Sequence, residues 1–215
     1  MNGPATRPRG RPRDESKRVA LLDAARALFL THGLDVTTDE IAAQAGVAKA
    51  TLYANFPDKD ALLEAVIRRE SDLTITDDEF LGSQDVPIDA ALLAFGNRFM
   101  GFVNRRDLAG WDRLLASAAA RQPQLARRFF DAGPGRGQRL LTQMIASAVA
   151  RGDLQADNPE QAAEDLTGLW IGFSSLRIKL GVSKPLTRAQ VEAKVAHGVR
   201  IFLALYGKAP PDAKT

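Results

Sequence analysis

Apolar residues in this chain return at steps of three and four from Leu21 to Tyr206, and no segment alternates with period two long enough to form a strand. A chain with that rhythm buries itself as helices packed on helices, so the expected fold class is all-α. The first stripe is Leu21, Leu22, Ala25, Leu28 and Phe29; Asp14 and Glu15 suit its N-terminal end and Gly33 its stop. A short second helix is predicted from Thr38, because Thr37 and Glu40 have capping-box spacing, and Gly46 turns the chain after it. Ile41 and Ala45 are expected to face inward. A third helix covers KATLYANF, with Leu52 and Phe56 four apart on its buried side. Pro57 interrupts it, and Asp58 stands where it can cap a fourth helix through Leu62, Leu63, Val66 and Ile67.

Residues 72–86 are polar and irregular and read as the end of helix four and a loop. Helices resume after Pro87. The first of them is expected to bury Leu92, Phe95, Phe99 and Phe102 or Val103, and LAGWDRLLASAAA and QLARRFF follow. A glycine-rich break at 133–137 leads into QRLLTQMIASAVARG, and two helices finish the pattern, about 159–180 and 187–206. With 215 residues, 45% of them apolar, a sizeable core can form. The expected division is a flexible basic arm over 1–14, a helix-turn-helix unit of three helices over 15–70, and a larger helical unit over 71–215.

Several function classes drop out. Cysteine is absent, which removes disulfides, thiolate metal sites and cysteine nucleophiles, and fits a reducing cytoplasm, the expected location. No stretch reaches the roughly 18 apolar residues of a membrane span. His32 and His197 have no paired ligands or nucleophile constellation around them, so no metal, cofactor or enzymatic activity is expected. GPGRG at 133–137 lacks the preceding strand and the lysine–hydroxyl pair of a phosphate loop, and reads as a helix-to-helix turn.

Net charge is +3, but it is not spread evenly. In residues 1–18, Arg7, Arg9, Arg11, Arg13, Lys17 and Arg18 meet only Asp14 and Glu15, which leaves +4 there and −1 over the rest. Positive charge focused at one end suits a polyanion. Pro4, Pro8 and Pro12 and the missing apolar segment argue against a transit helix or a secretory signal. Alone, such a stretch also fits a solvated terminus.

Helix two, a glycine-containing turn and helix three have the spacing of a helix-turn-helix. The outward face of helix three carries Lys49, Ala50, Thr51, Tyr53 and Asn55. A cation, a hydroxyl, a phenol and an amide on one short exposed face suit phosphates and base edges. The stretch TTDEIAAQAGVAKATLYANFPDKDALLEAV resembles the DNA-binding signature of the TetR family of transcriptional repressors, and the resemblance runs over residues 16–68. The T-x-x-x-I-A-x-x-A-G-V, T-L-Y, F and K-x-x-L elements all fall in register.

That resemblance implies phosphate contacts from Thr37 and Thr38, groove reading by Lys49, Ala50 and Thr51, and phosphate contacts from Tyr53, Asn55 and Lys59. Plainer roles stand beside these: Thr37 as a cap, Lys59 as a surface lysine, Tyr53 as packing. The chain departs from the family twice. Ala48 stands where a capping serine is common, and Ala50 where glycine is common, adding a methyl that could meet a thymine methyl. In the arm, PRGRP resembles the core of an AT-hook, which implies that Arg9, Arg11 and Arg13 enter a narrow minor groove.

For the second half the resemblance implies a ligand-binding and dimerisation domain. Phe99, Phe102, Trp111, Met144, Trp170 and Phe173 are the candidate pocket lining, with Asn97, Asn104 and Arg113 as polar fittings; ordinary core is the alternative role for each. Leu166, Leu169, Trp170, Phe173 and Leu176 form one stripe and Val191, Val195, Val199, Phe202 and Tyr206 another, expected to pair two copies. Gly168 and Gly172 are expected to let a partner helix or a ligand approach closely. The function implied is a ligand-responsive repressor that binds a near-palindromic operator as a homodimer and is released by a small, mostly apolar effector. The alternative is a DNA-binding architectural protein without an effector.

Overall fold

The computed structural model describes residues 15–73, 76, 80, 82, 86–105, 108–121 and 123–208; Arg9, Arg11 and Arg13 of the arm lie outside them. Among the described residues there are ten α-helices, a 3-10 turn at Gly33–Asp35 and no strand, with one isolated antiparallel bridge between Leu154 and Gly207. In chain order they are α1 (Glu15–His32), α2 (Thr38–Gln44), α3 (Lys49–Asn55), α4 (Lys59–Asp72) and α5 (Ile88–Val103). Then come α6 (Leu108–Arg121), α7 (Pro123–Ala132), α8 (Pro134–Arg151), α9 (Pro159–Lys179) and α10 (Arg188–Tyr206). The chain forms two compact units that divide after Val66, inside α4.

In the first unit α1 packs on α2 and α3, and α2 packs on α3. Helices α2 and α3 have seven residues each, too few to persist in water alone. They are held by burial: Leu21, Ala25, Phe29, Ile41, Leu52 and Phe56 form the interior, and each large side chain there contributes about 1.5–3 kcal/mol. Ala42 is buried beside Ile41, while Ala45 is half-exposed. The Arg18 guanidinium lies over the Phe56 ring at 4.7 Å, covering the same hydrophobic seam. Gly33, at φ +72°, ends α1 as expected. Asp58 Oδ1 accepts the Ala61 N–H at 2.7 Å and caps α4.

The second unit is organised around one ring. Trp170 of α9 is fully buried, and a methyl group placed on Gly96 of α5 or Gly198 of α10 would lie 2.7 Å from it. The two glycines therefore let α5 and α10 close on either side of the indole. Phe95 stacks beside it and Phe99 lies tilted against it, with ring centroids 6.1 Å from Trp170 in both cases, and its Nε1–H donates to Val195 O at 3.3 Å. Asn158 caps α9 through the Glu160 and Gln161 N–H groups. Asn104 ties the end of α5 to the approach of α10, donating to Leu186 O and accepting from Leu186 N, both at 2.7 Å.

Two expectations need correction. The glycine-rich stretch is not a break: α8 begins at Pro134, whose ring suits a first helical turn, and Gly135 packs against the Phe130 ring. The proposed pairing stripes are mostly interior, since Leu166, Trp170, Val191, Val195, Val199 and Phe202 all belong to the core of this unit. What α9 and α10 leave exposed is Phe173 and Leu176, with Ile201 and Leu205, and Leu180 just past the end of α9 is exposed as well. Gly172 interrupts α9 at φ 51°, ψ −172°, and a methyl placed on it would lie 3.2 Å from Lys194 Nζ, while Gly168 has open space where a side chain would go.

Candidate functional site

The candidate DNA face is built from α2 and α3. Thr37 caps α2 in a complete capping box: its Oγ1 accepts from the Glu40 N–H at 3.2 Å, and the Glu40 carboxylate accepts the Thr37 N–H at 2.7 Å. The bond from the Thr37 backbone, helped by its hydroxyl, holds the Glu40 carboxyl below its ordinary value. At the other end, the Val47 N–H reaches Ala42 O at 3.0 Å and the Gly46 N–H reaches Ala43 O at 3.1 Å. This pair of bonds is a Schellman turn, and it requires the left-handed backbone of Gly46, φ +66°. The chain is thereby turned into α3 within four residues. As the sequence suggested, α3 starts at Ala48 with no side-chain cap.

Across the turn the two helices share polar contacts. Lys49 Nζ lies 2.6 Å from Asp39 Oδ1, and that carboxylate raises the lysine pKa. The Tyr53 hydroxyl is 3.1 Å from Thr38 Oγ1, with Tyr53 itself 45% exposed, so this phenol lies on the surface and is not packed away. Ala50 is exposed and Thr51 half-exposed beside Lys49. Two candidates have work inside the unit. Lys59 Nζ donates to Leu34 O at 2.6 Å and Val36 O at 3.1 Å, pinning the strand-like approach to α2. Asn55 Nδ2 donates to Thr51 O at 2.8 Å within its own helix.

In the second unit a cavity of about 250 Å³ opens between α5, α6, α9 and the α7–α8 junction. Phe99, Phe102 and Trp111 line it, joined by Val103, Leu115 and Ile171. Met144 and Trp170 do not line it; both are in the core, Trp170 because its ring fills the space between α5 and α10. Phe173 is 76% exposed on the outside of α9, beyond the Gly172 kink. Asn104 serves the Leu186 backbone and Arg113 is exposed, while Asn97 lies outside the cavity wall.

Two family models match this chain. Residues 21–66 match bacterial regulatory proteins of the tetR family, and residues 90–208 match the C-terminal domain of AefR-like transcriptional repressors. The chain belongs to the TetR family. This is a family of transcriptional regulators, not enzymes. Among solved structures, a TetR-family regulator from Mesorhizobium loti is 25% identical, with TM-score 0.73 over 93% of this chain and 100% of that one. The flavonoid-responsive regulator FrrA is 33% identical, with TM-score 0.68 over 91% of this chain and 100% of that one. Of curated proteins, the uncharacterised regulator YdeS of Bacillus subtilis is 40% identical over 88 residues, 40% of this chain and 44% of that protein. The repressor LfrR of Mycolicibacterium smegmatis is 37% identical over 78 residues, 36% of this chain and 41% of that protein. The match thus spans less than half the length of these curated relatives.

The TetR motif in α2 and α3 drew attention to Lys49 and Tyr53 but not to Asp39, which holds Lys49 in the free protein. Asp39 and Lys49 are ten apart and meet only because the turn brings α3 back beside α2. Around the cavity, Asp112 and Lys179 form an ion pair at 2.8 Å, and no spacing in the sequence announces a pairing between α6 and α9.

Proposed function

We propose that this TetR-family chain is a ligand-responsive transcriptional repressor that binds a near-palindromic operator as a dimer and is released by a small, mostly apolar effector. The observation that carries the sensing half is the apolar cavity enclosed by Phe99, Phe102, Trp111 and Ile171. Its about 250 Å³ lies just under the roughly 300–1,000 Å³ of drug-sized sites, so the occupant is compact. FrrA, a flavonoid-responsive regulator that aligns along most of this chain, supports the sensing half. LfrR, described as a repressor, supports the direction of control.

In this reading residues 15–70 grip DNA and 71–215 sense and pair, in the cytoplasm. Lys49, Ala50 and Thr51 meet base edges, while Thr37, Thr38, Tyr53, Asn55 and Lys59 hold phosphates. Arg9, Arg11 and Arg13 reach the neighbouring minor groove. The exposed Phe173 and Leu176 of α9 and Leu180 just after it, with Leu205 of α10, pair two copies. An effector that prefers the DNA-free conformation releases the operator by its differential affinity, and a hundredfold release needs about 2.7 kcal/mol of coupling. The test is a thermal-shift screen of small molecules with and without duplex operator. The reading requires at least one compound that raises the melting temperature of the free protein and dissociates the complex. A screen in which every stabilising compound leaves DNA bound favours an architectural role instead.

A further inference from the structure

The cavity wall says what kind of molecule it suits. The charged residues that line it are already engaged: Asp112 with Lys179 at 2.8 Å, and Glu70 with Arg105 at 3.3 Å, while behind Ser71 Arg136 pairs with Asp72 at 3.1 Å. An ionic ligand entering here loses its hydration and meets counter-ions already engaged. Ser71 is also satisfied, since its Oγ accepts from Arg136 at 3.3 Å and donates to Gly133 O at 3.4 Å.

Trp111 is different. It lines the cavity, is only 5% exposed, and its buried Nε1–H has no hydrogen-bond acceptor among the described residues. The second tryptophan shows the ordinary arrangement, with the Trp170 Nε1–H donating to Val195 O. Buried donors are paired in the great majority of cases, because an orphan forfeits its hydration for nothing. A bound molecule that brings an acceptor oxygen to Trp111 removes that cost. We propose that the cavity takes an uncharged, compact aromatic or alicyclic molecule carrying an acceptor oxygen, and that the Trp111 Nε1–H donates to that oxygen. The proposal rests on the effector reading above and narrows it by chemical class.

The test uses the full chain and four probes of one size: 2-acetylnaphthalene, 2-isopropylnaphthalene, 2-naphthoate and 2-naphthylmethylammonium. Binding is followed by calorimetry for the unaltered protein and Trp111→Phe, with release of operator DNA measured in parallel. The acetyl and isopropyl compounds share a shape and differ in the acceptor. We expect Trp111→Phe to weaken the acetyl compound about three- to tenfold, the worth of one neutral hydrogen bond, and to change the isopropyl compound less than about twofold. Both ions bind more weakly than either neutral probe.

A second readout needs no variant. The chain has two tryptophans, so the Trp111 indole N–H resonance can be followed directly, and it moves downfield with the acetyl compound only. Equal weakening of both neutral probes, tighter binding of an ion, an unmoved indole resonance, or no binding of any probe overturns the proposal. If the acetyl compound binds through Trp111 yet leaves operator bound, the ligand chemistry stands and the effector reading fails. If the probes release DNA as well from Trp111→Phe, the effector reading stands and the ligand chemistry fails.

Discussion

The two units keep their working groups in opposite places. In the first, Lys49 and Tyr53 stand on the outside of one short helix, α3, and the interior serves only to hold that face. In the second, the feature of interest is a space, bounded by inward-turned Phe99, Phe102 and Trp111, while the outside carries the unpaired apolar residues Phe173 and Leu205. An exposed site is a list of side chains on one helix face. An enclosed site is the volume that side chains leave unfilled, and it depends on how every neighbouring helix is seated.

The largest test of this contrast sets one interior residue against one exterior residue. Trp170→Ala empties the space between Gly96 and Gly198 and is expected to cost about 3–5 kcal/mol in denaturant unfolding. Lys49→Ala, on the exposed face, should leave the unfolding midpoint where it was and lower affinity for operator DNA. If Trp170→Ala is tolerated, the second unit is not built around that ring.

Two glycines sharpen the comparison at a smaller scale. Gly96→Ala puts a methyl 2.7 Å from the Trp170 ring and from a Val195 methyl, and overpacking of that kind costs about 1–3 kcal/mol. Gly46→Ala meets nothing within 4 Å, but the left-handed backbone penalises a side chain by about 1–2 kcal/mol. The thermal melts of both fall, for different reasons. Restoring space with Val195→Ala should recover part of the Gly96→Ala loss, and no second-site cavity recovers Gly46→Ala.

Those two glycines also show what could be read in advance. Gly46 was legible because the capping box at Thr37 and Glu40 fixes where α2 starts, and a helix of seven residues then ends at the glycine. The helix count, the α3 face and the inward Leu52 and Phe56 follow from the same local rules of period and capping. Gly96 and Gly198 were not legible, because the reason for their smallness is a ring 74 and 28 residues away, by the numbering, brought there by packing. For the same reason period alone offers Trp170 as pocket lining although it fills the core, and leaves Phe173 open between pocket lining and a pairing surface, a choice that turns on the Gly172 kink in α9. The core stripes of α9 and α10 had the right period; what period cannot reveal is which neighbour covers them.

A third test uses pH. The Tyr206 hydroxyl donates to Asp165 Oδ2 at 2.5 Å, tying α10 to α9 in the second unit. This bond lowers the Asp165 pKa from its ordinary 3.8 and raises the Tyr206 pKa from its ordinary 10.0. A depressed carboxyl contributes stability above its unfolded value and loses it as pH falls through the folded pKa. A raised phenol contributes below its unfolded value and loses it as pH rises through the folded pKa. The link is therefore complete between 3.8 and 10.0 and fades on both sides. Tyr206→Phe should make the stability profile of this unit shallower at both ends, and an unchanged acid limb would count against the bond.

The smallest expected effect is on the DNA face. Asp39→Asn frees Lys49 from its 2.6 Å partner and lowers the lysine pKa back toward its ordinary value, with folding little changed. Affinity for operator DNA should rise modestly, because Lys49 then reaches its base edge without first leaving a carboxylate. A weaker complex would mean that Asp39 orients Lys49 and does not compete for it.

Selection of duplexes from random DNA by the full chain tests the central claim most directly, because it asks what the α2–α3 face reads. We expect enriched sites made of two inverted half-sites about one helical turn apart, roughly 34–36 Å, with enrichment lost for Lys49→Ala. Recovery of unrelated duplexes with no shared sequence or symmetry, unchanged in that variant, would contradict it.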